Sequence, residues 1–378
     1  MEIALRNARL SHSGALAAIT IEGGKVRSVT PDSHCYARQT LDAGGAIVLA
    51  GFIDLHTHGA AGADTMDGTR AALDRMSRFY AEHGVTAFLP ATVTADGPST
   101  TRAIDAVRDA LARPLPGARV IGIHLEGPYL AENRPGAQAP EHIRPADPSE
   151  YGPWLESGVV RLITLAPEIA ANRRLLRDAV ARGIAVSAGH SSVSYDEIDT
   201  LAQEGLSGVT HSFNAMPGLH HRVPGLAGAA LTRGELYAEV IVDGVHIHPA
   251  VVQLIFRAKG PDRTLLVTDS MRATGMPEGT YTLGDRLVSV RAGQARLADG
   301  TLAGSTLTMD AALRNAIQLC GATLTDAATM AAATPARRLG IGNRGRISPG
   351  YVADLVLLDP ESLAVQMTLV RGEVVYRR

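Results

Sequence analysis

The sequence predicts an α/β protein: a (β/α)8 TIM barrel with a small β-sandwich domain formed from both chain termini. Three observations carry this. The middle of the chain alternates short β-branched runs with helical stretches, the pattern of βαβ units feeding a parallel sheet. Eight such runs are found there, the number that closes a barrel. The two ends read instead as short strands separated by turns.

The first fifty residues open with strand-and-turn patterns. Residues 16–21 are apolar, Glu22-Gly23-Gly24-Lys25 makes a turn, and 26–29 resumes the strand. The barrel strands fall at 49–55, 85–89, 119–125, 160–165, 184–188, 208–210, 237–242 and 264–268. Helical periodicity occupies 70–83, 100–112, 172–182, 194–204 and 249–259 between them. A hairpin-rich insertion at 280–297 follows the eighth strand, then helices at 309–320 and 324–339. The tail returns to strands, 351–358 ending at Asp359-Pro360, and 369–376 broken by Arg371-Gly372-Glu373. Residues 1–48 and 342–378 therefore form the small β-domain, and 49–341 the barrel.

The chain has 378 residues, 46% of them hydrophobic, enough for a barrel core and a second unit. Lys and Arg total 36 against 38 Asp and Glu. So even a balance gives no reason to expect a nucleic acid or an anionic membrane as partner, although it leaves room for a local basic pocket. The two cysteines, Cys35 and Cys320, lack CxxC spacing and read as reduced thiols. The opening residues carry Glu2 and Arg6 and no apolar core of a signal peptide. No apolar run approaches the roughly 20 residues needed to span a bilayer. A cytoplasmic protein is expected.

A barrel places its chemistry at the carboxyl ends of its strands, and ligand-type side chains recur there. Strand one ends in Asp54-Leu55-His56-Thr57-His58, and strand three in His124-Leu125-Glu126-Gly127-Pro128. Strand five ends in Gly189-His190, and strand six in Thr210-His211. Strand seven leads to Asp243-Gly244-Val245-His246, and strand eight to Thr268-Asp269-Ser270. An isolated HxH is a weak signal, because such spacing is often incidental. Its recurrence with five other strand exits points to a divalent metal such as Zn²⁺ or Fe²⁺, which imidazole and carboxylate donors suit.

On a strand His56 and His58 share one face. Glu126 has two oxygens and can serve two ions. His190 and His211 complete one position, and His56 with His58 can build a second. Asp269 is counted among the candidate metal ligands and is also the general acid/base candidate, placed to take a proton from water and return it to a leaving amine. The alternative, an N-cap aspartate, fits poorly because Gly275 and Pro277 follow closely. His246 can donate to a carbonyl oxygen as charge develops on it. His12, His34 and His83 lie away from the strand exits, and His220, His221 and His248 read as loop or rim residues. The glycine-bearing runs Ala227-Gly228-Ala229 and Leu302-Ala303-Gly304-Ser305 are not Walker loops but backbone that approaches something closely.

With these residues in place, the sequence resembles the N-acetylglucosamine-6-phosphate deacetylase family of the amidohydrolase superfamily. The carriers are Gly51-Phe52-Ile53-Asp54-Leu55-His56-Thr57-His58-Gly59, His124-Leu125-Glu126-Gly127-Pro128-Tyr129, Thr210-His211-Ser212-Phe213-Asn214-Ala215-Met216 and Arg222-Val223-Pro224-Gly225. Ala188-Gly189-His190, Asp243-Gly244-Val245-His246, Val267-Thr268-Asp269 and Leu302-Ala303-Gly304-Ser305 extend the likeness over essentially the whole chain.

The resemblance implies hydrolysis of the N-acetyl group, giving the amino-sugar phosphate and acetate. It implies that Glu126 stands in place of the carboxylated lysine used elsewhere in the superfamily. Glu126, His190 and His211 match the main metal ligands, Asp269 the acid/base and His246 the carbonyl-orienting histidine. Ala137, Asn214, Ala215, Arg222 and the backbone of Leu302, Ala303 and Gly304 match the substrate contacts. The arginine matching Arg222 serves a neighbouring subunit, so a homodimer is implied. Retention of His56 and His58 leaves one or two ions per subunit open. One departure stands out: Gln138 occupies the place of a histidine that helps bind the sugar phosphate. Glutamine donates a hydrogen bond but carries no charge, so a galacto epimer or an unphosphorylated sugar stays open as substrate.

A cyclic amidase of the dihydroorotase type would carry a lysine at the end of strand four, which reads Leu165-Ala166-Pro167-Glu168 instead. A non-catalytic metal-binding barrel would have lost its acid/base, and Asp269 is present.

Overall fold

The computed structural model describes residues 2–11, 13–32, 37 and 39–378. Cys35, His12 and His34 lie outside the described residues. Eight parallel strands make the barrel: Phe52–Thr57, Val85–Pro90, Arg119–Val120 continued by Ile123–Glu126, Val160–Leu165, Ala185–Ala188, Leu206–Val209, Tyr237–Val240 and Thr264–Leu266. They pair in chain order in two arcs. Parallel bridges between Ala91 and His124, and between Thr57 and Ser270, close the ring. Both faces of these strands are covered, so Phe52–Thr57 and Val85–Pro90 are buried at every position. That is why they read as unbroken apolar runs rather than alternating ones.

Helices Arg70–Glu82, Gly97–Ala112, Pro148–Glu156, Ala170–Val180, Ile198–Gln203, Gly225–Thr232, Pro249–Lys259 and Met309–Gln318 follow successive strands. Arg70–Glu82 buries Leu73, Met76 and Tyr80, spaced three and four apart. The Thr69 side chain caps its start by accepting from the Ala72 amide.

The terminal strands form one β-domain. Its order is Glu373–Arg377, Val365–Val370, Leu355–Leu358, Ile47–Ala50, Glu2–Leu10, Leu16–Glu22, Lys25–Pro31, with Gln39–Asp42 also beside Glu2–Leu10. Leu5, Ile19, Ile21, Val48, Leu355 and Leu369 share its core.

The single strand expected at 49–55 is divided at Gly51. Ile47–Ala50 pairs antiparallel with Leu355–Leu358, and Phe52 starts the barrel. Gly51 bonds Asp354 O at 2.9 Å, and a Cβ there would meet Thr86 Cγ2 at 2.2 Å. The chain passes between the two sheets where only glycine fits.

Residues 324–339 depart from one regular helix. Thr329–Ala333 is a π turn between Leu324–Ala328 and Thr334–Arg338. Pro335 has no amide proton to continue the α-helical ladder. The last segment drives Arg338 against the barrel strands. Its guanidinium donates to Val186 O at 3.0 Å, Ser187 Oγ at 3.1 Å and Ser207 Oγ at 2.6 Å. The insertion after strand eight is a three-stranded antiparallel sheet, Gly279–Leu283, Arg286–Arg291 and Gln294–Arg296. No helix among the described residues is long and apolar enough to cross a membrane.

Candidate active site

The carboxyl ends of strands one, three, five, six and eight bring five ligand-type residues and one acid/base candidate to one place. Glu126 is central. Its Oε1 lies 3.0 Å from His211 Nε2, 3.3 Å from His190 Nε2 and 3.5 Å from His56 Nε2. Its Oε2 lies 3.4 Å from His58 Nε2. Asp269 Oδ1 is 3.0 Å from His58 Nε2 and 3.6 Å from His56 Nε2. Three of these residues hold backbone angles that L-residues rarely adopt, with φ of 47° at His190, 28° at His211 and 49° at Asp269. Each marks the point where a strand turns sharply out of the barrel, the kind of strain that a surrounding structure holds in place at working sites.

The partners of these side chains fix which atom faces inward. His56 Nδ1 lies 3.2 Å from Glu239 Oε2, and His190 Nδ1 lies 2.9 Å from Arg134 O. Both contacts leave Nε2 for the centre, the usual outer-shell arrangement for a metal-ligating histidine. Burial would protonate Glu126, but His56, His190 and His211 overcome it and hold the carboxyl well below its ordinary range. Burial likewise opposes ionisation of Asp269, yet His56 and His58 bring it down to about 2. Burial works against the charged ring of His58, while Asp269 and Glu126 outweigh it and carry the ring up to about 9. Anionic oxygens so deep in the barrel call for a cation, and in a dry site that demand is strong.

The donors fit a divalent metal ion. Two groups meet the spacing for an ion: Glu126, His190 and His211, and His56, His58 and Glu126. His56 Nε2 and Asp269 Oδ1 are buried with no hydrogen-bond partner. Such orphaned acceptors are costly unless something binds them. Nitrogen and oxygen donors suit a borderline divalent ion.

Glu126, His58, His190, His211 and Asp269 line a cavity of about 320 Å³, into which His246 projects from beyond strand seven. Asp243 holds that histidine, with Oδ2 2.7 Å from His246 Nδ1 and Oδ1 accepting from the amides of Val245 and His246. The ring's Nε2 is thereby left free of this clamp.

The amidohydrolase family model matches residues 47–375. The chain is 37% identical to the N-acetylglucosamine-6-phosphate deacetylase of Bacillus subtilis, over 95% of this chain and 92% of that protein. It is 38% identical to the N-acetylgalactosamine-6-phosphate deacetylase of Escherichia coli O157:H7, over 87% of each. A solved structure of a Mycobacterium smegmatis N-acetyl-D-glucosamine-6-phosphate deacetylase in complex with N-acetyl-D-glucosamine-6-phosphate superposes with a TM-score of 0.90, at 34% identity and 99% coverage of both chains. The chain belongs to the amidohydrolase family, among its N-acetylglucosamine-6-phosphate deacetylases.

The remaining residues singled out in the sequence divide. Ala137, Gln138, Asn214, Ala215, Leu302 and Gly304 line the cavity. Ala303 does not: it is fully buried, its amide donating to Ala295 O at 3.0 Å, so it braces the loop instead. Arg222 is exposed on a loop and bonds His221 at 2.7 Å, so this chain alone does not bring it to the cavity. Gln138 was expected to face a sugar phosphate. It is 4% exposed, and its carboxamide is committed at both ends: Nε2 donates to Glu126 Oε2 at 2.7 Å, and Oε1 accepts from the Thr94 amide at 2.7 Å. His248 caps helix Pro249–Lys259, and His83 pairs with Asp310 at 2.9 Å.

Two site residues escaped the sequence reading. Glu239 sits on strand seven behind His56, and only its place in the middle of a barrel strand marked it. Arg296 lines the cavity from the insertion. Its signal was the Ala-Arg-Leu alternation of a short strand.

Proposed function

We propose that this protein hydrolyses the N-acetyl group of N-acetylglucosamine-6-phosphate, giving glucosamine-6-phosphate and acetate. The observation that carries the reading is the convergence of Glu126, His190 and His211 with Asp269 and His246 around one cavity. The named substrates of its relatives support the sugar phosphate. The 38% identity to a galactosamine-phosphate enzyme favours the galacto epimer as second reading.

Glu126, His190 and His211 would hold a divalent ion, zinc or iron, and His56 with His58 would hold a second one through Glu126. When bound, the ion supplies Lewis acidity and lowers the pKa of water. Asp269, ionised in this site, accepts the proton of the attacking water and passes it to the nitrogen of the leaving amine. His246, held by Asp243, donates from Nε2 to the acetyl carbonyl oxygen as negative charge gathers there. Asn214, Ala215, Leu302 and Gly304 border the sugar.

The enzyme acts as a homodimer in this reading, with Arg222 serving the neighbouring subunit's phosphate site. Its exposure and its place outside its own cavity support that role. A cytoplasmic location completes the reading, in keeping with the free thiol of buried Cys320.

The test is kcat/KM for N-acetylglucosamine-6-phosphate, its galacto epimer and the free sugar, followed by acetate release. A marked preference for the gluco phosphate supports the reading, and turnover of none of the three defeats it. Arg222→Ala should raise KM for the phosphorylated sugar alone; an equal effect on the free sugar would remove the phosphate role of Arg222.

A further inference from the structure

We infer that Arg296 is a phosphate-recognising residue supplied by each chain to its own cavity, in addition to whatever a neighbouring subunit brings. This rests on the proposed sugar-phosphate substrate and deepens it.

The insertion after strand eight is built to present this side chain. Gln294–Arg296 turns back on itself through Gly300, with Leu297 N to Thr301 O at 2.9 Å and Ala303 N to Ala295 O at 3.0 Å. Arg296 thus pairs across the hairpin with Leu302. Alternation along the strand does the sorting. Ala295 and Leu297 enter the insertion's apolar core with Val288, Val290 and Ala303. Arg296, between them, lies on the opposite face and borders the cavity that holds Glu126, His246 and Asp269.

The guanidinium is fixed before any ligand arrives. Nε and Nη2 donate to Gln294 Oε1 at 3.0 and 2.9 Å, and Nη1 donates to Gly300 O at 2.6 Å. All of these acceptors are neutral. Among the described residues Arg296 makes no ion pair with a carboxylate, whereas fifteen other arginines do. A half-buried, immobilised and unneutralised cation at a ligand cavity is a site for an anion. In the proposed reaction the acetyl group meets Asp269 and His246 at the floor, so the phosphate at the far end of the sugar points away from it, towards the rim. Gln138 carries no charge to match a phosphate, and its carboxamide already bonds Glu126 and the Thr94 amide. Arg286 is a brace rather than a competitor: its Nη1 donates to Gln138 O at 3.2 Å and holds the loop.

The experiment compares wild type, Arg296→Gln and Arg296→Lys as metal-loaded enzymes. It measures kcat and KM for the phosphorylated and the free N-acetyl sugar, and competitive inhibition by inorganic phosphate. Arg296→Gln should raise KM for the phosphorylated sugar, and Ki for inorganic phosphate, on the order of tenfold, the scale of one charge-assisted contact. Its kcat, and its constants for the free sugar, should stay within about twofold, a change worth little free energy. Arg296→Lys should recover part of the loss, since it keeps the charge but not the fork. Equal damage to both sugars, or none to either, overturns the inference. A wild type that does not prefer the phosphorylated sugar defeats the substrate reading itself. A preference that Arg296→Gln leaves undiminished overturns the assignment of Arg296 alone.

Discussion

Gln138 and Glu126 are joined by a 2.7 Å hydrogen bond from the carboxamide Nε2 to carboxylate Oε2. The bond fixes the rotation of the central carboxylate. It leaves Oε1 to face His190, His211 and His56, while Oε2 is shared between Gln138 and His58. The Thr94 amide anchors the far end of the same glutamine.

Removing that support should loosen the metal without removing a ligand. Gln138→Ala should weaken metal retention by about 10- to 100-fold, the usual cost of losing an outer-shell partner. Competition with a graded chelator, read as ions bound per chain, checks this. Gln138→Glu should behave differently, because a second carboxylate beside Glu126 would repel it or share its proton. Unchanged retention in Gln138→Ala would show that the hydrogen bond is incidental.

Asp269 should be needed for turnover but not for the metal held by Glu126, His190 and His211. Asp269→Asn keeps the shape and abolishes the ability to carry a proton, so kcat should fall by about 10²- to 10⁴-fold. Elemental analysis should still find that metal. A variant with near-normal kcat would remove the acid/base role.

In the proposed reaction Asp243 would act only through His246, the side chain its carboxylate holds. That carboxylate accepts from His246 Nδ1 and stabilises the doubly protonated ring that donation from Nε2 requires, and burial is outweighed by His246 in holding Asp243 below the usual carboxylate range. Asp243→Asn should lower kcat with a smaller change in KM, because a carbonyl-orienting donor acts most strongly on the developing charge. His246→Gln should cost about 10²- to 10³-fold in kcat. The double variant should be no worse than His246→Gln, since the two residues work as one unit. An additive loss would separate their roles.

Much of this site was legible because a barrel imposes a rule on where chemistry sits. Once eight strand runs were placed, the residues at their exits formed a short list, and Glu126, His190, His211, His56, His58 and Asp269 all came together. Contributions that depend on side-chain direction were harder to see. Gln138 reads as a substrate contact from its place in the loop, yet a buried carboxamide takes the strongest acceptor within reach, which is Glu126. Arg296 and Glu239 were passed over because each sits in a short strand with no motif around it. The division at Gly51 was hidden for a different reason. Residues 47–57 are apolar throughout in the part that crosses from one sheet to the other, so hydropathy alone shows no boundary.

The last expectation concerns the fold rather than the site. Asp310 lies at the start of helix Met309–Gln318 and receives His83 at 2.9 Å and Arg314 at 2.8 Å. It ties that helix to the end of helix Arg70–Glu82, which lies far away in sequence. Burial would raise its pKa, but the His83 bond and charge, with help from Arg314, hold it well below the ordinary 3.8. A carboxyl whose folded pKa is depressed stabilises the fold at every pH above its unfolded value, and the benefit fades as pH falls through the folded value. Asp310→Asn should therefore be less stable than the parent at pH 6, by about 1–3 kcal/mol for a buried charged hydrogen bond. The difference should shrink below pH 3.8, where the unfolded carboxyl gains its proton. Urea unfolding of both metal-free proteins at several pH values checks this. A gap that stays constant down to the acid limit would mean that the ionised carboxylate is not the source of the stabilisation.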